Sequence, residues 1–271
     1  MSKIRVEILS TPDDAVSVKL RDLGQALFSS VIGASRNLRI SVPVAAPIAN
    51  FSADQLIVGT QFNGVKYSLT ALNLSINLAT VGVGGMDTGA APISGFVAIY
   101  VIYNPATLAT ALLAVNTTSA KVSEVYSGTS MPIGFTASAL VSVWGTSASL
   151  FKVGYQTERH VMTVTTPIYT SSAGSTAINT LSIATLVPKN CKDVDLYATA
   201  VQSAGGQGIE LFLMSSSNEV GKTTVNATAS SGTVAGNKVV TLPVINEQSI
   251  AYAMSNTNAG SYSISIRGYS I

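Results

Sequence analysis

A single histidine, His160, stands in Glu158-Arg-His-Val161, and Ser-His-Asp chemistry within one copy of this chain would need it as base. A Ser-His-Asp relay uses a histidine as its base, yet no Gly-X-Ser-X-Gly elbow accompanies this one. One histidine excludes a two-histidine zinc site within a single copy and leaves only a site shared between subunits. Beside opposite charges at a break between apolar stretches, His160 reads as a solvated linker residue. Paired carboxylates for glycoside hydrolysis must lie about 5–9.5 Å apart. The candidates are Asp13/Asp14, Asp193/Asp195 and Glu210/Glu219. Asp193 and Asp195 fall on one face of a strand, with Lys189 and Lys192 in the preceding turn placed to balance them, and the pair reads as a solvent-facing edge. Two acids fall short of the roughly six to eight oxygens that calcium takes. Gly82-Val-Gly-Gly85 is too short for a phosphate loop and lacks its lysine, and Gly205-Gly-Gln-Gly208 reads as a turn.

Cys191, the only cysteine, lies in the turn Pro188-Lys-Asn-Cys-Lys192. It excludes an internal disulfide and any multi-cysteine metal site, and it reads as a structural thiol. Trp144 ends Ala137-Ser-Ala-Leu-Val-Ser-Val-Trp144 on the face of Ser138, Leu140 and Ser142, which suits core or interface. Tyrosine outnumbers phenylalanine, 10 to 7, and an apolar ring with a hydroxyl that needs a partner suits interfaces. An exposed aromatic could stack on a sugar, but the sequence does not say which one is exposed. The expectation is a protein that is not an enzyme, with no catalytic residues, no metal ligands, no cofactor and binding residues not legible.

The elements that must position these residues are strands. Tyr262, Ile264 and Ile266 alternate with serines, Leu74, Ile76 and Leu78 with Ser75, Asn77 and Ala79, and Val194, Leu196, Ala198 and Ala200 with Asp193, Asp195, Tyr197 and Thr199. Period two with one apolar face predicts half-buried strands. Phe96–Tyr103 is apolar on both faces and reads as a central strand covered on both sides, or on one side by a neighbouring subunit. Turn signals at Asn63-Gly64, Gly82–Gly85, Asn104-Pro105, Ser127-Gly128, Gly205-Gly206 and Gly236-Asn237 fall at sandwich spacing. The exception is Leu20, Leu23, Leu27 and Val31, whose spacing predicts a helix over about 18–32, with Ser17 as N-cap and Gly33 as C-cap. That helix either packs on the chain's own sheet or attaches the chain to a larger assembly. The predicted fold is all-β: antiparallel β-sandwich or jelly-roll-like domains with one short N-terminal helix. The predicted segments are 1–48 for attachment and linker, 49–158 for a β-rich structural domain and 159–271 for a C-terminal sandwich. Residues 40–50 read as an extended linker, and 171–176 and 226–237 as loops.

Composition narrows the classes. Of 271 residues 47% are hydrophobic and only 10% charged, with net charge +2. That is too apolar for a disordered chain and not basic enough for a nucleic-acid binder. No apolar run approaches the roughly 20 residues of a membrane helix, and Met1–Ile8 has no secretory core. The sequons at Asn73, Asn116 and Asn226 therefore carry little weight. Ten charges fall in the first 39 residues, whereas Ile40–Ala120 holds only Asp54, Lys66 and Asp87. Interfaces are depleted in charge at their centres, so this stretch reads either as a neutral polar sheet or, the favoured reading, as a face buried against other copies.

Gly84-Gly-Met-Asp-Thr-Gly-Ala-Ala-Pro92, Gly95-Phe-Val-Ala-Ile-Tyr-Val-Ile-Tyr-Asn-Pro105, Tyr126-Ser-Gly-Thr-Ser-Met-Pro-Ile-Gly-Phe135, Ser138–Trp144 and Val18–Gly24 together resemble tail, tail-fibre and virion-associated structural proteins of tailed bacteriophages. The resemblance covers about residues 16–160. Leu242-Pro-Val244 and Ile264–Ile271 resemble the C-terminal β-sandwich of fibre proteins. These motifs are shapes of strands and turns and carry no functional residues across. The resemblance implies a virion protein made in the bacterial cytoplasm, a homotrimer attached to other virion proteins through its N-terminal region. It would contact a host surface glycan or outer-membrane protein, without nucleic acid and without membrane insertion. A head or collar decoration protein is the alternative, and a polysaccharide depolymerase the remaining one.

Overall fold

A computed structural model describes residues 30–202, 208–228 and 232–271, and among these every regular element is a strand. The first half holds β1 (Ser35–Arg36), β2 (Arg39–Val42), β3 (Ile48–Gly59), β4 (Lys66–Asn77), β5 (Ser94–Asn104), β6 (Ala109–Asn116), β7 (Ala137–Ser147), β8 (Leu150–Phe151) and β9 (Gly154–Thr157). The second holds β10 (His160–Ala173), β11 (Asn179–Ser182), β12 (Asp193–Gln202), β13 (Ile209–Met214), β14 (Thr223–Ala227), β15 (Val234–Pro243), β16 (Ser249–Met254) and β17 (Ala259–Ser270). No helix in the described residues is long and apolar enough to cross a membrane.

From β10 onward the two sheets run β15-β12-β17-β10 and β11-β16-β13-β14, every pairing antiparallel. Eight strands in this order make a jelly roll, two Greek keys folded into facing sheets. Its core is the alternation visible in the sequence. Val194, Leu196, Ala198 and Ala200 are fully buried, as are Tyr262, Ile264 and Ile266, while Asp193, Asp195, Tyr197 and Thr199 turn outward. β14 lies so close over β15 that a Cβ on Gly236 would strike the Asn226 carbonyl. Gly236-Asn237, expected as a turn, therefore sits inside β15, where the glycine serves close approach. The expected loop 226–237 likewise contains the end of β14 and the start of β15, and 171–173 finish β10.

The first half buries its centre differently. β5 lies between β6 and β7, and Phe96–Tyr103 is buried at every position. One side faces β3, with β4 set against the neighbouring β6. Across the other runs the segment 117–136, which has no regular structure but is pinned at many points. The Tyr100 hydroxyl donates to the Ser123 carbonyl (2.7 Å), Tyr126 stands edge-on to Tyr100 at 5.6 Å, and the Tyr126 amide donates to Ser138 Oγ. The doubly apolar strand is thus covered within a single copy, so a neighbouring subunit is not needed to explain it.

The halves share one sheet. β4-β3-β2-β9 continues through the β9–β10 hairpin into β10-β17-β12-β15. Residues 40–50, expected as a linker, are β2, a turn and the start of β3. His160, expected in a linker, opens β10. Of the expected helix over 18–32, residues 18–29 lie outside the described residues. Ser30–Ile32 form a bend leading into a turn, because the Gly33 amide bonds the Ile57 carbonyl and Ile32 packs on Gly59. Gly33, expected as that helix's C-cap, has a left-handed φ of +84° within this turn.

Candidate functional site

The continuous sheet turns one face to solvent. Opposed residues in a ladder share a face, so the pairings define two outward rows. One reads Pro243, Asp193, Ser270, His160, Thr157, Arg39, Ser52 and Asn73; the other reads Thr241, Asp195, Gly268, Met162, Tyr155, Ser41, Asn50 and Ser75. Eight strands at the usual spacing make this face about 34 Å wide.

At one end the structure gathers residues the sequence singled out separately. His160 Nε2 lies 3.1 Å from Asp195 Oδ2, His160 Nδ1 lies 3.2 Å from Ser270 Oγ, and Thr241 Oγ1 donates to Asp195 Oδ1. This has the order of a Ser-His-Asp relay. What such a relay needs next is a set of free N–H groups to hold an oxyanion. Ser270 sits between β10 and β12 with its backbone committed to their ladders, its carbonyl accepts from the Lys192 amide, and the Ile271 amide donates to the Arg159 carbonyl. The trio stitches three neighbouring strands side chain to side chain.

Asp193 and Asp195 share the outward face of β12, as their spacing predicts. Asp195 is taken by His160 and Thr241. Lys189, expected to balance the aspartates, instead pairs with Glu247 at 2.7 Å. Glu219 pairs with Lys222, while the Glu210 amide bonds Ser255 Oγ, so the two glutamates form no site. Asp13 and Asp14 lie outside the described residues, as do 205–207 of the second glycine run. Gly82–Gly85 form a tight turn, with the Gly85 amide bonding the Gly82 carbonyl. Cys191 is buried and its thiol donates to the Asp193 carbonyl; burial, helped by the nearby Asp193 carboxylate, pushes its pKa up to about 12. Trp144 is core, its indole N–H donating to the Lys152 carbonyl. Among the described residues no group of three metal-ligating side chains gathers.

A second cluster joins the halves. Arg159 bridges Glu124 with both terminal nitrogens at 2.9 Å while its Nε and Nη1 donate to the carbonyls of Ile271 and Leu140. Asn190 exchanges two hydrogen bonds with the Val122 backbone, and the buried Tyr269 hydroxyl donates to the Val143 carbonyl (2.7 Å). Beside this knot lies a cleft of about 610 Å³ lined by Val31, Phe62, Lys66, Glu124, Arg159 and Lys192. A second cavity of about 410 Å³ lies between Trp144, Lys152, Val164 and Tyr269.

Towards its other end the outer face forms a shallow trough of about 210 Å³ bounded by Arg39, Asn50, Asn73 and Tyr155. Sequence reasoning passed over all four as site residues. The outward direction of Arg39, Asn50 and Asn73 follows from the alternation in Arg39-Ile-Ser-Val42, Ala49-Asn-Phe-Ser-Ala53 and Leu72-Asn-Leu-Ser-Ile76. Their meeting depends on pairing among four strands that no local signal encodes. No family model matches this chain. No curated protein matches it either.

Proposed function

We propose that this chain is a structural protein of a phage virion, a homotrimeric tail-fibre or receptor-binding component that contacts the host cell surface. The observation that carries the reading is the outward face of the shared sheet: eight strands wide, mostly polar, sparsely charged and backed by the hydrophobic core. Such a surface suits adhesion, where many weak contacts add up across copies. The jelly roll accords with this, being a recurrent fold of viral and lectin domains. The resemblance of residues 16–160 to tail proteins supports the same reading, with the N-terminal region attaching the chain to other virion proteins.

The test is competition. Purified protein added to host cells before infection should lower adsorption of the phage that carries it. Failure to compete, combined with rebinding to particles that lack the protein, would assign it to head or collar decoration instead. Light scattering should give a particle of about 84 kDa, three copies of the 27.9 kDa chain.

A further inference from the structure

The outer face is uneven in how its polar groups are used. At the jelly-roll end they satisfy one another: Asp195 with Thr241 and His160, Thr199 with Ser263. Past the other end of the rows, Asp54 is held by Asn37 and Gln55 by Ser68. Between them, the guanidinium of Arg39, the amides of Asn50 and Asn73 and the phenol of Tyr155 make no side-chain hydrogen bond or ion pair among the described residues. These four surround a floor of small residues, Ser41 and Ser52, directly opposed to Asn50 and Arg39 across β2 and β3. Tyr155 stands opposite Ser41 on β9, 37% exposed, so its ring borders the depression. Asn73 closes the far side on β4, opposite Ser52.

The geometry points to a subsite for one saccharide unit that carries a carboxylate, a hexuronate-type sugar within a longer glycan. A tyrosine ring offers an apolar face with a polar edge, which suits the C–H face of a pyranose ring. Each carboxamide presents two donors and an acceptor, matching vicinal hydroxyls that both give and take. Arg39 supplies the planar fork that a carboxylate accepts in bidentate fashion. The trough is smaller than the roughly 300–1,000 Å³ of pockets for drug-sized ligands, and it is open. It fits a single ring of a chain that continues across the sheet. This deepens the receptor-binding reading and rests on it for its biological sense, although the binding itself can be measured without cells.

Calorimetric titration with oligogalacturonate, and with oligomers of dextran as the neutral control, tests the site. The wild-type chain should bind the acidic oligomer and bind the neutral one more weakly. Arg39→Ala should weaken the acidic oligomer about 10- to 100-fold, the range for a charge-assisted hydrogen bond pair, and leave dextran unchanged. Tyr155→Ala should remove both. Thr199→Ala, on the same face but outside the trough, should bind like the wild type. Absence of binding by the wild-type chain, or equal binding by Arg39→Ala, overturns the proposal. Loss of the trimer in Tyr155→Ala by light scattering also overturns it, because the face would then be a contact between copies. The adsorption assay separates the two readings. If wild type and Arg39→Ala compete equally with phage, the subsite fails while receptor binding stands; if wild type does not compete but still binds oligogalacturonate, the reverse holds.

Discussion

Strands β5 and β12 are of nearly equal length, 11 and 10 residues, yet they solve burial in opposite ways. β12 alternates strictly, with one side in the jelly-roll core and the other carrying Asp193, Asp195, Tyr197 and Thr199 outward. β5 hides both sides from Phe96 to Tyr103, and the second cover is not a sheet but the strap 117–136. A strand with two apolar sides needs two covers. Here the second is supplied by twenty residues of irregular backbone whose hydrogen bonds go to side chains and strand edges. The neutral stretch Ile40–Ala120 was expected to face other copies. Much of its apolar surface faces this chain's own interior, while Val44, Phe62, Val81, Ile93 and Leu108 stay exposed beside the polar trough face. The jelly roll leaves its outward side open by design of its pattern, whereas the first half is closed by an added segment.

The comparison can be broken most severely at the strap. Tyr100→Ala removes a fully buried ring, its edge contact with Tyr126 and its bond to Ser123. A loss of about 3–5 kcal/mol is expected by denaturant unfolding, with limited proteolysis cutting inside 117–136 well before the jelly roll. Tyr100→Phe keeps the ring and should cost only about 1 kcal/mol. If both variants behave alike, the strap is held by its bonds rather than by packing. Next in size is the knot: Arg159→Ala should cost about 1–3 kcal/mol and split one calorimetric transition into two as the halves uncouple. In the jelly roll, Gly236→Ala forces β14 away from β15 and should cost about 1–3 kcal/mol through overpacking. The smallest effect belongs to the open side, where Tyr197→Thr should stay within about 0.5 kcal/mol.

Alkaline pH sharpens the same contrast. Burial raises the pKa of Tyr100 and Tyr269, and it pushes Tyr252 up to about 12 and Cys191 to about 12. Each group keeps its proton more tightly folded than unfolded. The linked stability is therefore intact below about pH 9 and lost as pH rises towards 12, the unfolded chain releasing protons first. Melting temperature should be flat through neutral pH and fall above about pH 9. At pH 8 a thiol reagent should label Cys191 only after denaturant is added, since the protonated buried thiol is a poor nucleophile.

Strand identity was largely legible because period two survives in single segments: β12, β17 and β4 read directly from their alternation. The doubly covered β5 was legible as central, but its cover was not, since nothing in Val122, Val125 or Tyr126 announces that an irregular segment will lie over a sheet. Gly236 misled because glycine marks both turns and close approaches, and only the tertiary neighbour Asn226 distinguishes them. His160, Asp195 and Ser270 are separated by long stretches of chain, so their meeting was invisible until β10, β17 and β12 were laid side by side. The trough was illegible for the same reason.

The β9–β10 hairpin carries a consequence for mechanics. Gly154–Thr157 is bonded to β2 on one flank and to β10 on the other, and Arg159 ties the hairpin's tip to the strap and to Ile271. Such a crossing has no slack about which the halves could swivel. A tug on the trough would pass as shear straight through the ladder to the far sandwich, so the protein would work as a stiff tile, its angle of presentation set when it folds.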